Sequence, residues 1–424
     1  MAKENEAYKQ WENAVRAFLL VKDPYIIKLV PALLLTHRLP GDPVWGFLVA
    51  PPGGSKTEFI KAMTGIEGVH PISSLTSKTL VSGAKTGGKA QASLLMRVQD
   101  GYLTFEDFTT LASEHKDETS AIMGQLRAIY GGKFDKEFGT GETISWEGKI
   151  TLLAGATHAI HAFRSLFSNM GERFLIYQIE QPGREDAAMR TMENHETGDV
   201  RKMRDDMAAA LKHLVDEALV IPEKMPHITK ELRKDLVDIA EFTTRARSTV
   251  ERDWRSPKKE IIEVYPPEMP TRFAAQLQKI AEALMIINGY TNGDSKLLQD
   301  DIDLLKKIGF DSISITKRKV LIELAKFDSL EGPALAVKLN MPSATIDRWL
   351  QDFNALEIVE RSKTGRSNVW NMKEKYRKLV SHFEGVDMIG GAYTEAIAYE
   401  ETGITKPPDE DDWGIEEPRH TPAD

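Results

Sequence analysis

The stretch that decides the fold is Ala50-Pro51-Pro52-Gly53-Gly54-Ser55-Lys56-Thr57. An apolar run, Val44 to Val49 with Trp45 and Phe47, leads into it, and a helix-compatible run, Glu58 to Met63, follows. Strand, small-residue loop, Lys-Thr and helix is the layout of a phosphate-binding loop. In such a loop backbone N–H groups cup phosphate oxygens, the lysine adds a mobile charge, and the hydroxyl ligates magnesium. The helix beginning beside the loop adds the positive end of its dipole. The expected nucleotide contacts are therefore Pro52, Gly53, Gly54, Ser55, Lys56 and Thr57. The usual pattern has glycine six residues before the lysine and one before it. Here Ala50 and Ser55 stand in those places, and Gly53 and Gly54 supply the flexibility. The competing account is a Pro-Gly-Gly turn ahead of a helix with a surface Lys56.

A second signal lies about fifty residues on. Tyr102-Leu103-Thr104-Phe105-Glu106-Asp107 reads as a short buried strand ending in two carboxylates. A parallel sheet that puts Lys56-Thr57 at one strand end should put a carboxylate at the end of a neighbouring strand. One carboxylate can then hold the magnesium shell and the other can orient the attacking water. Lys149 to Thr157, KITLLAGAT, is another apolar strand ending in small and hydroxyl residues. Gly171-Glu172-Arg173 precedes the apolar strand Phe174-Leu175-Ile176-Tyr177, and Pro270-Thr271-Arg272 opens a helix running to about Ile287.

These five elements, in this order, resemble an AAA+ ATPase, closest to the minichromosome maintenance (MCM) helicase branch and its phage and mobile-element relatives. The resemblance spans roughly residues 40–375. It implies an α/β fold with an AAA+ P-loop NTPase core, a helical lid and a C-terminal winged helix-turn-helix. It implies Lys56 as the phosphate lysine, Thr57 and Glu106 as magnesium ligands, and Asp107 as the residue that polarises water. This chain reverses the usual Asp-Glu order, which leaves the assignment of the base open between Glu106 and Asp107. By the same resemblance Thr157 takes the polar sensor position, Arg173 the arginine finger that reaches a neighbouring subunit, and Arg272 the second sensor arginine. The plain alternative for each arginine is a structural ion pair.

Composition agrees with a soluble assembly. The chain has 424 residues, enough for two or three domains, and 41% are hydrophobic. It contains no cysteine, which excludes disulfides and thiol chemistry and fits a reducing, cytoplasmic compartment. No apolar run reaches the length of a membrane span, and Met1 to Glu6 does not begin a signal peptide. The net charge of −9 argues against a chain that is basic throughout, but the charge is unevenly placed.

Residues 1–43 read as a helical segment, punctuated by Pro24, Pro31 and Pro40 into short helices. Residues 44–183 read as the α/β core, and residues 184–311 as helical lid and linker. Ser82 to Ser93 is a Gly- and Lys-rich excursion. Lys133 to Trp146 alternates on either side of Gly139-Thr140-Gly141, as a β-hairpin does. MCM-like helicases carry a hairpin here that projects into the channel, which makes Lys133, Lys136 and Lys149 candidate contacts to DNA phosphates. Glu137 and Glu142 oppose that role.

Residues 312–380 form a different module. Helical runs Ile315–Phe327 and Gly332–Leu339 precede a turn, and Ser343 is placed to cap a third helix, Ala344 to Leu356. A small hairpin follows, with Lys363 and Arg366 at its turn. From Thr316 to Lys378 there are 13 Lys and Arg against 8 Asp and Glu, a local excess suited to phosphates. Thr345, Arg348 and Gln351 are expected on the exposed face of a recognition helix, and Lys363 and Arg366 on a wing. A protein-docking module is the alternative. Residues 381–424 form an acidic, largely disordered tail, suited to docking a basic partner such as a replication protein.

The expectation is a ring-forming, Mg-ATP-dependent DNA helicase or translocase, a homo-oligomer and most simply a hexamer. Single-stranded DNA would lie in its channel, and it would act in phage or mobile-element replication. A helicase loader or protein–DNA remodelling ATPase is the second reading. A winged-helix DNA-binding protein with a degenerate nucleotide site is the third.

Overall fold

The computed structural model describes residues 6–81, 85–86, 89–90, 93–113, 116–137, 143–163, 173–253, 255–256, 259–290, 297–365 and 367–381. The tail, the hairpin tip at 138–142, Arg366 and most of the Ser82–Ser93 excursion lie outside the described residues.

Five strands build the central sheet: β1 (Trp45–Val49), β2 (Val69–Ile72), β3 (Gly101–Phe105), β4 (Ile150–Ala156) and β5 (Phe174–Gln178). They are all parallel, in the order β2-β3-β4-β1-β5. Both faces are covered, so β1, β3, β4 and β5 are buried along their whole length, as parallel strands require. The alternation of β1 sorts its side chains between two cores. Trp45, Phe47 and Val49 join Leu103, Phe105 and the helix Lys116–Tyr130 on one face. Leu48 faces the other core with Leu153, Leu175 and Tyr177.

That second core draws on both ends of the chain. Helices Glu6–Phe18 and Tyr25–Arg38 share it with helices Val200–Lys212, Thr271–Ile287 and Gln299–Asp311. Pro31 does not break the segment as the sequence suggested; it lies inside one helix, Tyr25–Arg38. Proline there cannot donate to the carbonyl four residues back, that of Ile27. Trp11 supplies the missing donor, its Nε1 lying 2.7 Å from the Ile27 oxygen.

The C-terminal module has helices Ile315–Ala325, Gly332–Leu339 and Ser343–Ala355, and a three-stranded antiparallel sheet. The strands are Leu330–Glu331, Val359–Thr364 and Ser367–Met372. Pro342, not Ser343, occupies the cap of the third helix, and no side chain bonds the cap. Ser343 is already helical because Pro342 supplies the turn, its carbonyl accepting from Thr345 and Ile346. The module is not loosely tethered. Phe242 and Ala246, from the helix Lys230–Arg247, and Phe310 sit in its core, and Phe242 stacks on Phe310 at 5.5 Å. At the seam, fully buried Asp311 accepts from Arg318 Nη1 and Lys307 Nζ, both at 2.8 Å, and from the Gln178 amide at the end of β5.

Candidate nucleotide site

β1 ends at Val49, and the chain then turns through Pro51 to Ser55 before the helix Lys56–Ala62. Gly53 has φ of +78° and Ser55 φ of +64°. Ser55 thus holds the left-handed conformation that glycine adopts freely, which is the physical reason the usual pattern has glycine there. Gly54 is needed for a different reason: a Cβ would lie 2.8 Å from Gln181 Oε1 and 2.9 Å from both Ala50 Cβ and the Pro51 oxygen.

Lys56 is buried rather than on the surface, at 5% exposure. Its backbone N–H donates to the Gly54 carbonyl at 2.9 Å, and its Nζ lies 3.5 Å from the Pro51 oxygen. Burial pulls its pKa below the ordinary lysine value, and the Asp107 carboxylate works in the opposite direction. Thr57 is the second residue of the helix and is half-buried.

The carboxylate strand is not the neighbour of β1 that the sequence led us to expect. β4 stands between β1 and β3. The junction works because β4 carries glycine there. A Cβ on Gly155 would collide with the Glu106 carbonyl oxygen and come within 3.4 Å of Lys56 Cδ. The bare glycine lets Lys56 and the end of β3 approach each other over the intervening strand. Glu106 is mostly exposed, its carboxylate 3.5 Å from Lys61 Nζ on the loop's own helix. Asp107 accepts from the Thr109 amide at 2.9 Å. Thr109 Oγ1 accepts from the Thr157 amide at 2.9 Å and lies 3.3 Å from Thr157 Oγ1. The ends of β1, β3 and β4 therefore gather Lys56, Thr57, Glu106, Asp107 and Thr157 around one loop.

Sequence reasoning missed Gly155, Thr109, Gln181 and His158. Gln181 Nε2 lies 3.5 Å from the Gly54 oxygen and 2.9 Å from the Ile179 oxygen, so its amide lies against the loop. Burial lowers the His158 pKa; the Arg318 and Lys56 charges push the same way and Asp311 opposes them. The AGAT run and the threonine two residues past Asp107 were the only signals available.

The other expected residues lie elsewhere. Arg173 immediately precedes β5, whose Phe174 pairs with Trp45, so it sits at the opposite strand ends from Lys56. Its guanidinium lies over the Tyr130 ring at 5.4 Å, and burial lowers its pKa, with Arg272 and Arg127 adding to the effect. Arg272 is 3.3 Å from Glu268, and Gln276, one turn on, donates to the Arg173 carbonyl at 2.7 Å. The two arginines therefore share one corner of the sheet, which spans about 15 Å along β1.

Lys149 is turned inward, not displayed on the hairpin: its Nζ donates to the Leu39 carbonyl at 2.6 Å, and burial lowers its pKa. Lys279 bonds the Asp42 carbonyl beside it, and burial with the Lys149 charge takes its pKa down to about 7. Lys133 and Lys136 lie on the hairpin strand Lys133–Glu137, which pairs with Thr143–Glu147; Lys133 is exposed and 3.8 Å from Asp135. In the C-terminal module Thr345 is buried, not exposed, with Arg348 Nη2 donating to its Oγ1 at 2.9 Å. Gln351 is half-buried against Arg252, and Lys363 is exposed.

Among the described residues no group of three or more His, Cys, Asp or Glu could hold a metal alone. A magnesium ion at Thr57 and Glu106 fits this donor set only as a partner of phosphate oxygens and water, the usual habit of that ion. No described helix is long and apolar enough to cross a membrane. The fold and site define an α/β protein whose parallel sheet presents a glycine-rich loop and a buried lysine at its C-terminal edge. No protein-family model matches the chain, and no curated protein matches it.

Proposed function

We propose that the chain is a Mg-ATP-dependent AAA+ motor of the MCM-like type, with a helical lid and a C-terminal winged helix, that translocates on or unwinds DNA. The observation that carries this reading is the approach of Lys56 to the Asp107 side of β3 across Gly155. A buried, partly desolvated cation beside a carboxylate and two threonine hydroxyls is the set that phosphoryl transfer to water uses. Lys56 would neutralise charge on the transferring phosphoryl group. Asp107, held by the Thr109 amide, would orient the attacking water and accept its proton, and Thr157 would hold that water or a γ-phosphate oxygen. Thr57 and Glu106 would hold magnesium, which would supply Lewis-acid chemistry when bound. Arg173 and Arg272 sit too far from Lys56 to serve the same loop, which favours a ring, most simply a hexamer, in which they serve a neighbour. Sequence order and the phage-type resemblance favour replication in the cytoplasm over loading or remodelling, and strand displacement separates these outcomes.

The test is Lys56→Ala. We expect ATP turnover and most nucleotide binding to be lost with the melting curve preserved. Wild-type turnover in the folded variant would remove the nucleotide site.

A further inference from the structure

Arg252 lies in the short strand Glu251–Arg252, which pairs with Ile261–Glu263 and packs beneath the helix Ser343–Ala355. Its Nε and Nη2 donate to Asp352 Oδ1 at 3.0 and 2.6 Å. Nη2 also donates to the Arg348 carbonyl at 3.0 Å, and Nη1 to Gln351 Oε1 at 3.4 Å and the Lys259 carbonyl at 2.7 Å. Arg252 and Asp352 are both buried. The side of the helix that carries Arg348, Gln351 and Asp352 therefore already holds a ligand, and the ligand comes from its own chain.

The charges of the helix point the same way. Ser343–Ala355 carries Asp347 and Asp352 against the single cation Arg348. Uncovering it would expose a carboxylate to a polyanion, which is unfavourable. The stretch Val359–Ser381 has the opposite balance. Its described residues carry six Lys and Arg and two carboxylates, Glu360 and Glu374; Lys378 lies 3.7 Å from Glu374, and Arg377 bonds Asp328 outside the stretch. Arg361, Lys363, Lys375 and Lys378 are exposed, and the Arg361 guanidinium lies over the Trp370 ring at 5.6 Å. Cations on one hairpin and the helix that follows it form a surface suited to a phosphodiester backbone.

We propose that the C-terminal module meets the DNA backbone through the hairpin Val359–Met372 and the helix Glu374–Val380, and that the helix Ser343–Ala355 serves as the seat of Arg252 instead of a reader of DNA. The inference rests on the reading of the chain as a DNA-acting motor and names the surface it uses.

The experiment measures binding of the full chain to labelled duplex and single-stranded DNA by fluorescence anisotropy across a salt series. In the four-fold variant Arg361→Gln/Lys363→Gln/Lys375→Gln/Lys378→Gln, we expect affinity to fall and the log–log salt slope to flatten by about 3–3.5, given about 0.7–0.9 per lost phosphate contact. A larger loss on duplex than on single strands places the duplex at this surface. Arg348→Ala/Gln351→Ala should bind as wild type does. Arg252→Met should melt earlier and bind DNA no tighter. Weaker binding by the Arg348/Gln351 variant, or tighter binding by Arg252→Met, would make the helix a reader and overturn the proposal. A wild type that hydrolyses ATP and binds DNA, beside a four-fold variant with full affinity and slope, sinks this inference alone. A wild type that neither hydrolyses nor binds sinks the functional reading with it.

Discussion

At the C-terminal ends of β1, β3 and β4 the chain turns on small and hydroxyl residues, and one buried lysine faces a carboxylate. At the N-terminal ends of β4 and β5 the materials are reversed. Lys149, Arg173, Arg272 and Lys279 crowd one edge, their charges bonded to main-chain carbonyls or set against Tyr130 and Glu268. One end is built of a glycine-rich loop, threonine hydroxyls and a single buried lysine. The other is a cluster of cations set among Asp42, Asp100, Glu268 and Glu282. Within one chain the sheet lies between them, Lys56 following β1 and Arg173 preceding β5. The difference teaches that one parallel sheet can carry opposite chemistry at its two edges, small and hydroxyl residues around one lysine at one and a crowd of cations at the other.

The sharpest way to break this comparison is to delete the cation at the far end. Arg173→Ala should lower turnover by about 10³–10⁵, the range for arginine fingers in other nucleotide hydrolases. Mixing it with Lys56→Ala should restore partial activity, since only a mixed ring sets an intact Lys56 beside an intact Arg173. Exchange of subunits with no rescue would show the two ends to be unrelated.

A smaller effect tests the near end. Gly155→Ala inserts a methyl group against the Glu106 carbonyl, and overpacking of this kind costs about 1–3 kcal/mol. We expect an earlier melting transition and weaker ATP binding together. Unchanged affinity in the Gly155→Ala variant would mean that Lys56 does not need that approach.

The smallest effect belongs to the lysine pair. Lys279 has a folded pKa of about 7, far below the ordinary lysine value. Between those two values the unfolded chain holds a proton that the folded chain has released. Stability therefore rises with pH across that window and is lowest below it, where the half-buried ammonium keeps its charge. The groups that face it are Lys149, Asp42 and Glu282. Urea midpoints taken from pH 6 to 9 should climb in wild type and flatten in Lys279→Met. Parallel curves would remove the pair from the far end's charge balance.

Much of this was legible in the chain. The loop, the strands before and after it, and the helices from Arg272 and Gly332 follow from apolar period and from glycine placement. Strand order did not follow, because crossovers decide it, and so β4 was not foreseen between β1 and β3. Pro31 read as a break because its remedy, Trp11, stands outside the local window. Gln351 read as exposed because Arg252, far back in the chain, leaves no periodic trace, and Thr345 because the Arg348 side chain folds back onto it. Local pattern shows what an element is made of. It does not show which distant side chain will lie against it.

Asp311 sets the terms on which this chain can be divided. It sits where a cut between the sheet domain and the C-terminal module would naturally be made, yet its bonds run to both sides of that cut. A fragment ending at Asp311 would lose Arg318 and keep a carboxylate shaped for two cations. Removing one partner of a buried ion pair costs about 3–5 kcal/mol, against a whole-domain stability of about 5–15 kcal/mol. Limited proteolysis should accordingly spare the seam. A foreign module joined to the sheet domain would have to bring its own arginine to the same spot to satisfy Asp311.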